Sequence, residues 1–322
     1  MKILAPIDRF DEAERLIQAG ADELYGGFVP TGWKDTYTMA GSINKRTFQE
    51  AQFESRSEIE DTIRYAHEQK ASFFLTLNND YYSRKQYPLL LNEIEWAVSA
   101  GVDALLVADL GLILEVKKRE IPIELHLSIL SSVMNSQAAA FFKDLGVQRI
   151  VLDRTLTLRE TERIISNVKD IQFEVFIMYG KCPNIEGLCT FFHRDDPKHV
   201  WPCCLKYTIS SVPPNSELKE TLRAADAQNA WCLNDRGRAC GLCAMYDLEK
   251  AGIYSLKIAG RGRYTDDKVR AVRMVGEMRR LLASGTDRQG FYRSATDLYK
   301  KTFGKTCNPF VCYSPDLRGK IL

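Results

Sequence analysis

The chain has 322 residues, 45% of them hydrophobic, and a formal net charge of +2. That is enough apolar material for a large core and fits one α/β barrel, and the near-neutral balance by itself calls for no nucleic-acid partner. The start, MKILAPIDRFDEAERL, turns polar too early for a signal peptide, and no run reaches the roughly 18 apolar residues of a membrane span, so a cytoplasmic protein with no membrane partner is expected.

Taken in chain order, one pattern recurs. An amphipathic helix ends at glycine, and a short apolar run follows: LIQAGADELYGGF around Gly20, AVSAGVDALLVAD around Gly101, FFKDLGVQRIVLD around Gly146 and LEKAGIYSLKIAG around Gly252. Glycine suits the position after a helix because it takes a left-handed backbone without a Cβ penalty. Short runs apolar on both faces read as buried parallel strands. Strands are predicted at Ile3–Ile7, Glu23–Phe28, Ser72–Asn78, Ala104–Asp109, Ile123–Ser128, Arg149–Asp153, Phe173–Met178 and Ser255–Ala259. Helices are predicted between the first seven, at Phe10–Ala19, Glu58–Gln69, Leu89–Ser99, Leu112–Arg119, Ser132–Leu145 and Leu158–Val168, and a closing helix at Asp266–Leu282.

Eight alternating units closing on themselves are the pattern of a (β/α)8 barrel of the TIM type. An open doubly wound sheet is the alternative, but the first strand–helix turn lacks a GxGxxG fingerprint. One barrel domain over residues 1–322 is expected. A long excursion at Val29–Ser57 falls at the barrel mouth, a cysteine-rich insertion over 180–245 separates strands seven and eight, and a C-terminal extension covers 286–322. From Tyr246 onward there are 16 Lys/Arg against 8 Asp/Glu, a basic third that would attract an anion or form a solvated helix face.

The nine cysteines are clustered: Cys182, Cys189, Cys203, Cys204, Cys232, Cys240 and Cys243, then Cys307 and Cys312. In a reducing compartment clustered thiols point to metal or redox chemistry rather than to disulfides. Four converging thiolates suit zinc or an iron–sulfur cluster. Structural zinc favours two tight C-x2-C knuckles, and only Cys240–Cys243 has that spacing, while the C-x6-C of Cys182–Cys189 fits a cluster at least as well; inert or redox thiols are the third reading. Cys307 and Cys312, in CNPFVCYSP, are expected near the mouth or the insertion, as ordinary thiols or, with Cys203 or Cys232, as a second metal site.

Motifs spread over nearly the whole chain carry a resemblance: LAP at Leu4–Pro6, AGADELYGG at Ala19–Gly27, LN at Leu77–Asn78, GVDALLVADLG at Gly101–Gly111, HLS at His126–Ser128, MNS at Met134–Ser136, GVQRIVLDR at Gly146–Arg154, EVF at Glu174–Phe176, the C-x6-C, and AGIYSLKIAGR at Ala251–Arg261. In this ordered set the chain resembles peptidase family U32, the collagenase-like proteins. The resemblance implies a barrel with a four-cysteine [4Fe–4S] cluster and, in several members, oxygen-independent hydroxylation of ubiquinone precursors or RNA bases. It implies Cys182, Cys189 and Cys204 as cluster ligands, with Cys240 or Cys243 as the fourth. It also exposes departures: Ala259 stands where the family has an acid in KIEGR, Tyr179 replaces a small residue, and Arg154-Thr155 replaces Arg-Glu.

Catalytic groups of such barrels sit at the C-terminal ends of strands. Tyr25, Asn78, Asp109, His126, Ser128, Asp153, Arg154, Glu174 and Lys257 lie there, with Arg261 just beyond. Asn78, Asp109, His126, Glu174 and Lys257 are taken as the catalytic candidates. His126 and Ser128 are two apart on one strand and point the same way, to orient a substrate or to bond a neighbouring strand. Lys257 and Arg261, with Tyr25, are candidates for holding a carboxylate or phosphate, with a surface ion pair as the alternative. The expected function is an iron–sulfur enzyme that hydroxylates an aromatic small molecule or RNA base. The alternatives are a peptide hydrolase, for which no GxSxG elbow or HExxH helix is present, and a subunit that needs a paralogous U32 partner.

Overall fold

The computed structural model describes residues 1–38, 42–182, 184–189, 223, 236–308 and 311–317. Eight strands pair in parallel and in chain order: β1 (Lys2–Pro6), β2 (Glu23–Gly26), β3 (Ser72–Leu77), β4 (Ala104–Val107), β5 (Glu124–Leu127), β6 (Arg149–Val151), β7 (Gln172–Met178) and β8 (Ser255–Ile258). β8 returns to β1, with Lys2 opposite Ser255 and Leu4 opposite Lys257, and closes the barrel. The strands fall within two residues of their predicted bounds.

Helices α1 (Ala13–Ala19), α3 (Arg56–Glu68), α4 (Tyr87–Ser99), α5 (Leu110–Lys118), α6 (Ser136–Asp144), α7 (Leu158–Asn167), α8 (Met245–Ala251) and α9 (Thr265–Ala283) lie between and after the strands, with α2 (Thr31–Tyr37) in the excursion after β2. Their starts are set by local chemistry. Ser55, Asp109, Asn135 and Thr157 accept the first backbone N–H groups of α3, α5, α6 and α7, and Thr157 with Glu160 forms a reciprocal capping box. α1 and α8 stop at Gly20 and Gly252, both left-handed, as the repeated motif requires.

Alternation along the strands divides the residues in two. Ile3, Leu24, Phe73, Leu75, Leu105, Leu125, Ile150, Phe173 and Leu256 pack outward into the main core beneath the helices. Leu4, Tyr25, Phe74, Ala104 and Leu106 form a separate apolar cluster inside the barrel. The lumen also carries charge. Arg149 donates bidentately to Glu23 at 2.8 and 2.8 Å and to Glu174 at 3.1 Å, and Lys257 donates to the other Glu174 oxygen at 3.0 Å. Each charge has a counter-charge, as burial demands. Burial acts to raise the Glu174 pKa, but Lys257 and Arg149 outweigh it and hold the carboxyl below its usual range.

At the closing seam, the buried Lys268 of α9 pairs with Asp8 and with Glu12, the latter at 2.7 Å, and Arg279 pairs with Asp22. Two segments hold helices that sequence reading left without structure. α2 buries Trp33 in the excursion, and Phe53 closes that loop by donating its N–H to the Gly27 carbonyl at 2.8 Å. In the C-terminal extension, α10 (Arg288–Phe303) is capped by Asp287 and buries Phe291, Tyr292, Ala295 and Tyr299. Among the described residues, no helix is long and apolar enough to cross a membrane.

Candidate active site

The C-terminal ends of the strands open into a cavity of about 700 Å³. Its floor is Tyr25, Thr76, Leu106, Val151, Phe176 and Lys257; its walls include Asn78, Ser128, Arg154 and Arg261, and Cys182 and Cys189 lie on its rim. A volume of this size takes a nucleoside-sized ligand with room to spare. Seven Lys or Arg residues line it against three Asp or Glu: Arg9, Lys45, Arg46, Arg154, Lys257, Arg261 and Arg263 face Glu50, Glu186 and Asp267. A concave site with such an excess concentrates positive potential on whatever enters.

Arg261 is the most informative of these. It is buried, yet it donates to neutral acceptors, Thr76 Oγ1 at 2.6 Å and the Asn44 carbonyl at 2.6 Å. Burial, reinforced by the nearby Arg46, pushes its pKa below the ordinary arginine value. An incoming anion would relieve that cost. Gly27 makes the arrangement fit, because a Cβ there would run into the Arg261 guanidinium and lie 2.5 Å from Asn44 Nδ2. Ala259 also lines the cavity, so the acid that the family pattern would put there is missing beside Arg261.

Asn78 donates to Ser128 Oγ at 3.2 Å, while its own buried Oδ1 has no hydrogen-bond partner. A buried acceptor left in this state is satisfied by a ligand donor. Lys257 sits 4.4 Å from the centre of the Tyr25 ring, with its charge already taken by Glu174. It is an interior ion pair, not a surface one. Tyr25 donates its hydroxyl to the Ile258 carbonyl at 2.8 Å, and burial raises its pKa, so it stays neutral.

The structure places other sequence candidates elsewhere. Asp109 caps α5 through Leu112 N–H at 2.6 Å and accepts from Tyr87 Oη at 2.8 Å and from Tyr82 N–H at 3.0 Å, outside the cavity lining. Asp153 binds the backbone and hydroxyl of Thr155. His126 and Glu174 lie in the lumen below the cavity. His126 packs edge-on against Phe74 at 4.6 Å, and burial lowers its pKa. Among the described lining residues there is no histidine beside Ser128, Cys182 or Cys189.

The loop after β7 is fixed from below. Arg154 bonds the Gly180 carbonyl and pairs with Glu186 at 2.8 Å, while its guanidinium lies 3.7 Å from the Phe176 ring centre. Tyr179 and Gly180 both take left-handed backbone, which turns the chain toward the rim. Tyr179 accepts this because its ring stacks under Arg263 at 4.3 Å and its hydroxyl donates to the Asp267 carbonyl at 3.0 Å. Cys182 and Cys189 follow on the cavity wall, a soft-donor pair whose chemistry fits a thiolate-bound cluster. Cys203, Cys204 and Cys232 lie outside the described residues.

Cys240 and Cys243 lie beside the tail cysteines, which the sequence placed near the mouth or the insertion. Cys240, Cys243, Cys307 and Cys312 line one small cavity, and burial, with the other three thiols nearby, pushes the Cys240 thiol up. Sequence reading also missed Lys45 and Arg46. The signal was NKR in the excursion, three polar residues in a segment already assigned to the mouth.

A family profile described as Peptidase family U32 matches residues 8–319. The tRNA hydroxylation protein P of Escherichia coli K12 is 25% identical over 61% of this chain and 41% of its own length. The 23S rRNA 5-hydroxycytidine C2501 synthase of the same organism is 26% identical over 97% of this chain and 43% of its own length. The chain therefore spans about two-fifths of each of these relatives. Among solved structures, the U32 peptidase Mk0906 superposes with a TM-score of 0.51 at 14% identity, over 81% of this chain and 93% of that one, which shows a shared fold.

Proposed function

Since the chain belongs to peptidase family U32, we propose that it is an enzyme that hydroxylates an RNA base at the barrel mouth, with an iron–sulfur cluster held by Cys182 and Cys189 together with Cys204 and, as the fourth ligand, Cys240 or Cys243. The observation that carries this reading is one cavity that combines the rim thiols with a basic wall. Basic side chains around a pocket suit a phosphodiester backbone, while the apolar floor of Tyr25, Leu106 and Phe176 suits the flat face of a base. The unpartnered Asn78 Oδ1 would accept from an exocyclic amino group, and Arg261 would hold a phosphate or the carboxylate of a cosubstrate. When bound, the cluster would supply one-electron chemistry. Lys257 and Glu174 hold the floor rigid rather than exchange protons, because each neutralises the other.

The relatives' names support RNA as the substrate class, and cytoplasmic location follows from that reading. A paralogous partner subunit would be needed if the separate chain proves inactive. The test is anaerobic purification, iron and sulfide analysis, and mass spectrometry of nucleosides from tRNA and rRNA of cells with and without the protein. A hydroxylated nucleoside that disappears with the protein, and with Cys182→Ala, is expected. Unchanged nucleosides alongside peptide cleavage that survives Cys182→Ala would replace this reading with the hydrolase.

A further inference from the structure

We propose that Tyr264 is a stacking platform at the cavity rim for the base beside the target nucleotide, so that the protein takes its RNA as an unpaired segment. This inference rests on the RNA reading given above. Tyr264 is 85% exposed, more than any other large hydrophobic side chain among the described residues, and of those left exposed it alone lines the cavity. Among the described residues, no hydrogen bond or ring contact engages its side chain. A lone exposed ring is ordinary on a protein surface. Two further observations single this one out.

The first is how the ring is held. The turn over residues 260–264, between β8 and α9, is pinned from both sides. Gly262 N–H donates to Asp8 Oδ2 at 2.6 Å, and Arg263 N–H donates to the Gly260 carbonyl at 3.0 Å. The Tyr264 carbonyl accepts from the Asp267 and Lys268 N–H groups at 3.0 and 3.2 Å, and Lys268 is itself locked to Asp8 and Glu12. Gly262 has left-handed backbone packed on Phe48, and a Cβ there would come within 2.3 Å of that ring. A backbone fixed in this way presents the exposed ring with little order left to impose on binding. The same turn carries the buried Arg261 on the cavity wall, so platform and cation are joined through one piece of chain.

The second is charge. Arg9 donates to Thr265 Oγ1 at 3.4 Å and Arg263 directly precedes Tyr264, and both belong to the basic excess that lines the cavity. The acids of the next helix turn are matched: Asp266 by Arg15, and Asp267 by Arg263 and Arg270. An aromatic face flanked by guanidinium groups suits an unpaired strand, whose bases offer π-faces and whose phosphates take the cations. A duplex would bring only its backbone to that rim, because its bases are already stacked and paired. The apolar floor has room for the target base, and an enzyme that acts on a base takes it out of its stack. The neighbouring base then loses a stacking partner, and the Tyr264 ring replaces it.

The test is RNA binding by the full chain, purified anaerobically and read by fluorescence anisotropy. Two labelled probes are compared, a hairpin with an unpaired loop and a blunt duplex of equal nucleotide number. The unaltered chain should prefer the hairpin. Tyr264→Ala should bind it about five- to thirtyfold more weakly, the lower part of the range for one lost base–aromatic stack, and leave duplex binding unchanged. Its salt dependence should stay as it was, because no phosphate contact is lost. Tyr264→Trp should keep the affinity and add an indole fluorescence that the hairpin quenches, while Tyr264→Leu, apolar but not flat, should behave as Tyr264→Ala. Equal affinity of the unaltered chain for both probes, hairpin affinity kept in Tyr264→Ala or Tyr264→Leu, or a reduced salt slope in Tyr264→Ala would overturn the platform while RNA binding stands. An unaltered chain that binds neither probe would overturn the RNA reading together with it.

Discussion

Replacing Glu174 with Ala tests the lumen network. Glu174 receives Lys257 on one oxygen and Arg149 on the other, and all three side chains are at most 4% exposed. Arg149 would survive the loss, because it keeps Glu23 on two bonds and Gln172 at 2.9 Å. Lys257 would not, since it donates to Glu174 and the Tyr25 and Phe176 rings beside it offer only their faces. Stranding a buried charge costs about 3–5 kcal/mol, and access from the cavity above puts the expected loss near the lower end, about 3 kcal/mol. Glu174→Leu with Lys257→Met removes both charges and should recover most of it, because an apolar pair of similar volume is often no worse than the ion pair. Urea unfolding at neutral pH of the unaltered chain, Glu174→Ala and the double variant measures both effects. A Glu174→Ala loss under about 1 kcal/mol, or a double variant no more stable than the single, would refute the account.

Other expectations follow from the same geometry. Arg261→Ala should weaken RNA binding and lower its salt dependence by about one phosphate contact. Gly27→Ala should do the same at a distance, since its Cβ displaces the guanidinium, and should cost about 1–3 kcal/mol in overpacking; unchanged binding in both would make the basic wall mere surface. His126 titrates lower in the folded chain than unfolded, so the unfolded state binds more protons and stability falls as pH drops below about 6.5. His126→Gln should lose that part of the acid sensitivity, read from urea midpoints between pH 7 and pH 5. Glu174, held low by its partners, adds a loss at lower pH, below the ordinary glutamate value.

The barrel was legible because its signals are local. Helix-stopping glycines and two-sided apolar runs recur at the period of one β/α unit, and each strand registers against the next. The cysteine positions were equally plain, but their grouping was not. Spacing shows that Cys240 and Cys243 form a pair and puts the tail cysteines near the mouth or the insertion; the path of α9 and α10 shows which of the insertion's cysteines Cys307 and Cys312 come back to meet. Asp109 looked catalytic because it ends a strand, and a helix cap asks for the same residue at the same place. Lys257 and Glu174 were visible as candidates on their strands, while Arg149 and Glu23, which complete their network, lie toward the starts of their strands, where sequence reading sought no site.

The seam between β1 and β8 bears on how the polypeptide matures. During synthesis β1 must wait for some 250 further residues before its second neighbour exists. For that interval the nascent sheet has two open edges, and Cys182 and Cys189 have already left the ribosome on a β7 whose far side is bare. The arrival of β8, and then of α9 with Lys268 for the acidic pair Asp8 and Glu12, closes both edges at once, so the barrel should reach its final fold only after translation has passed residue 268.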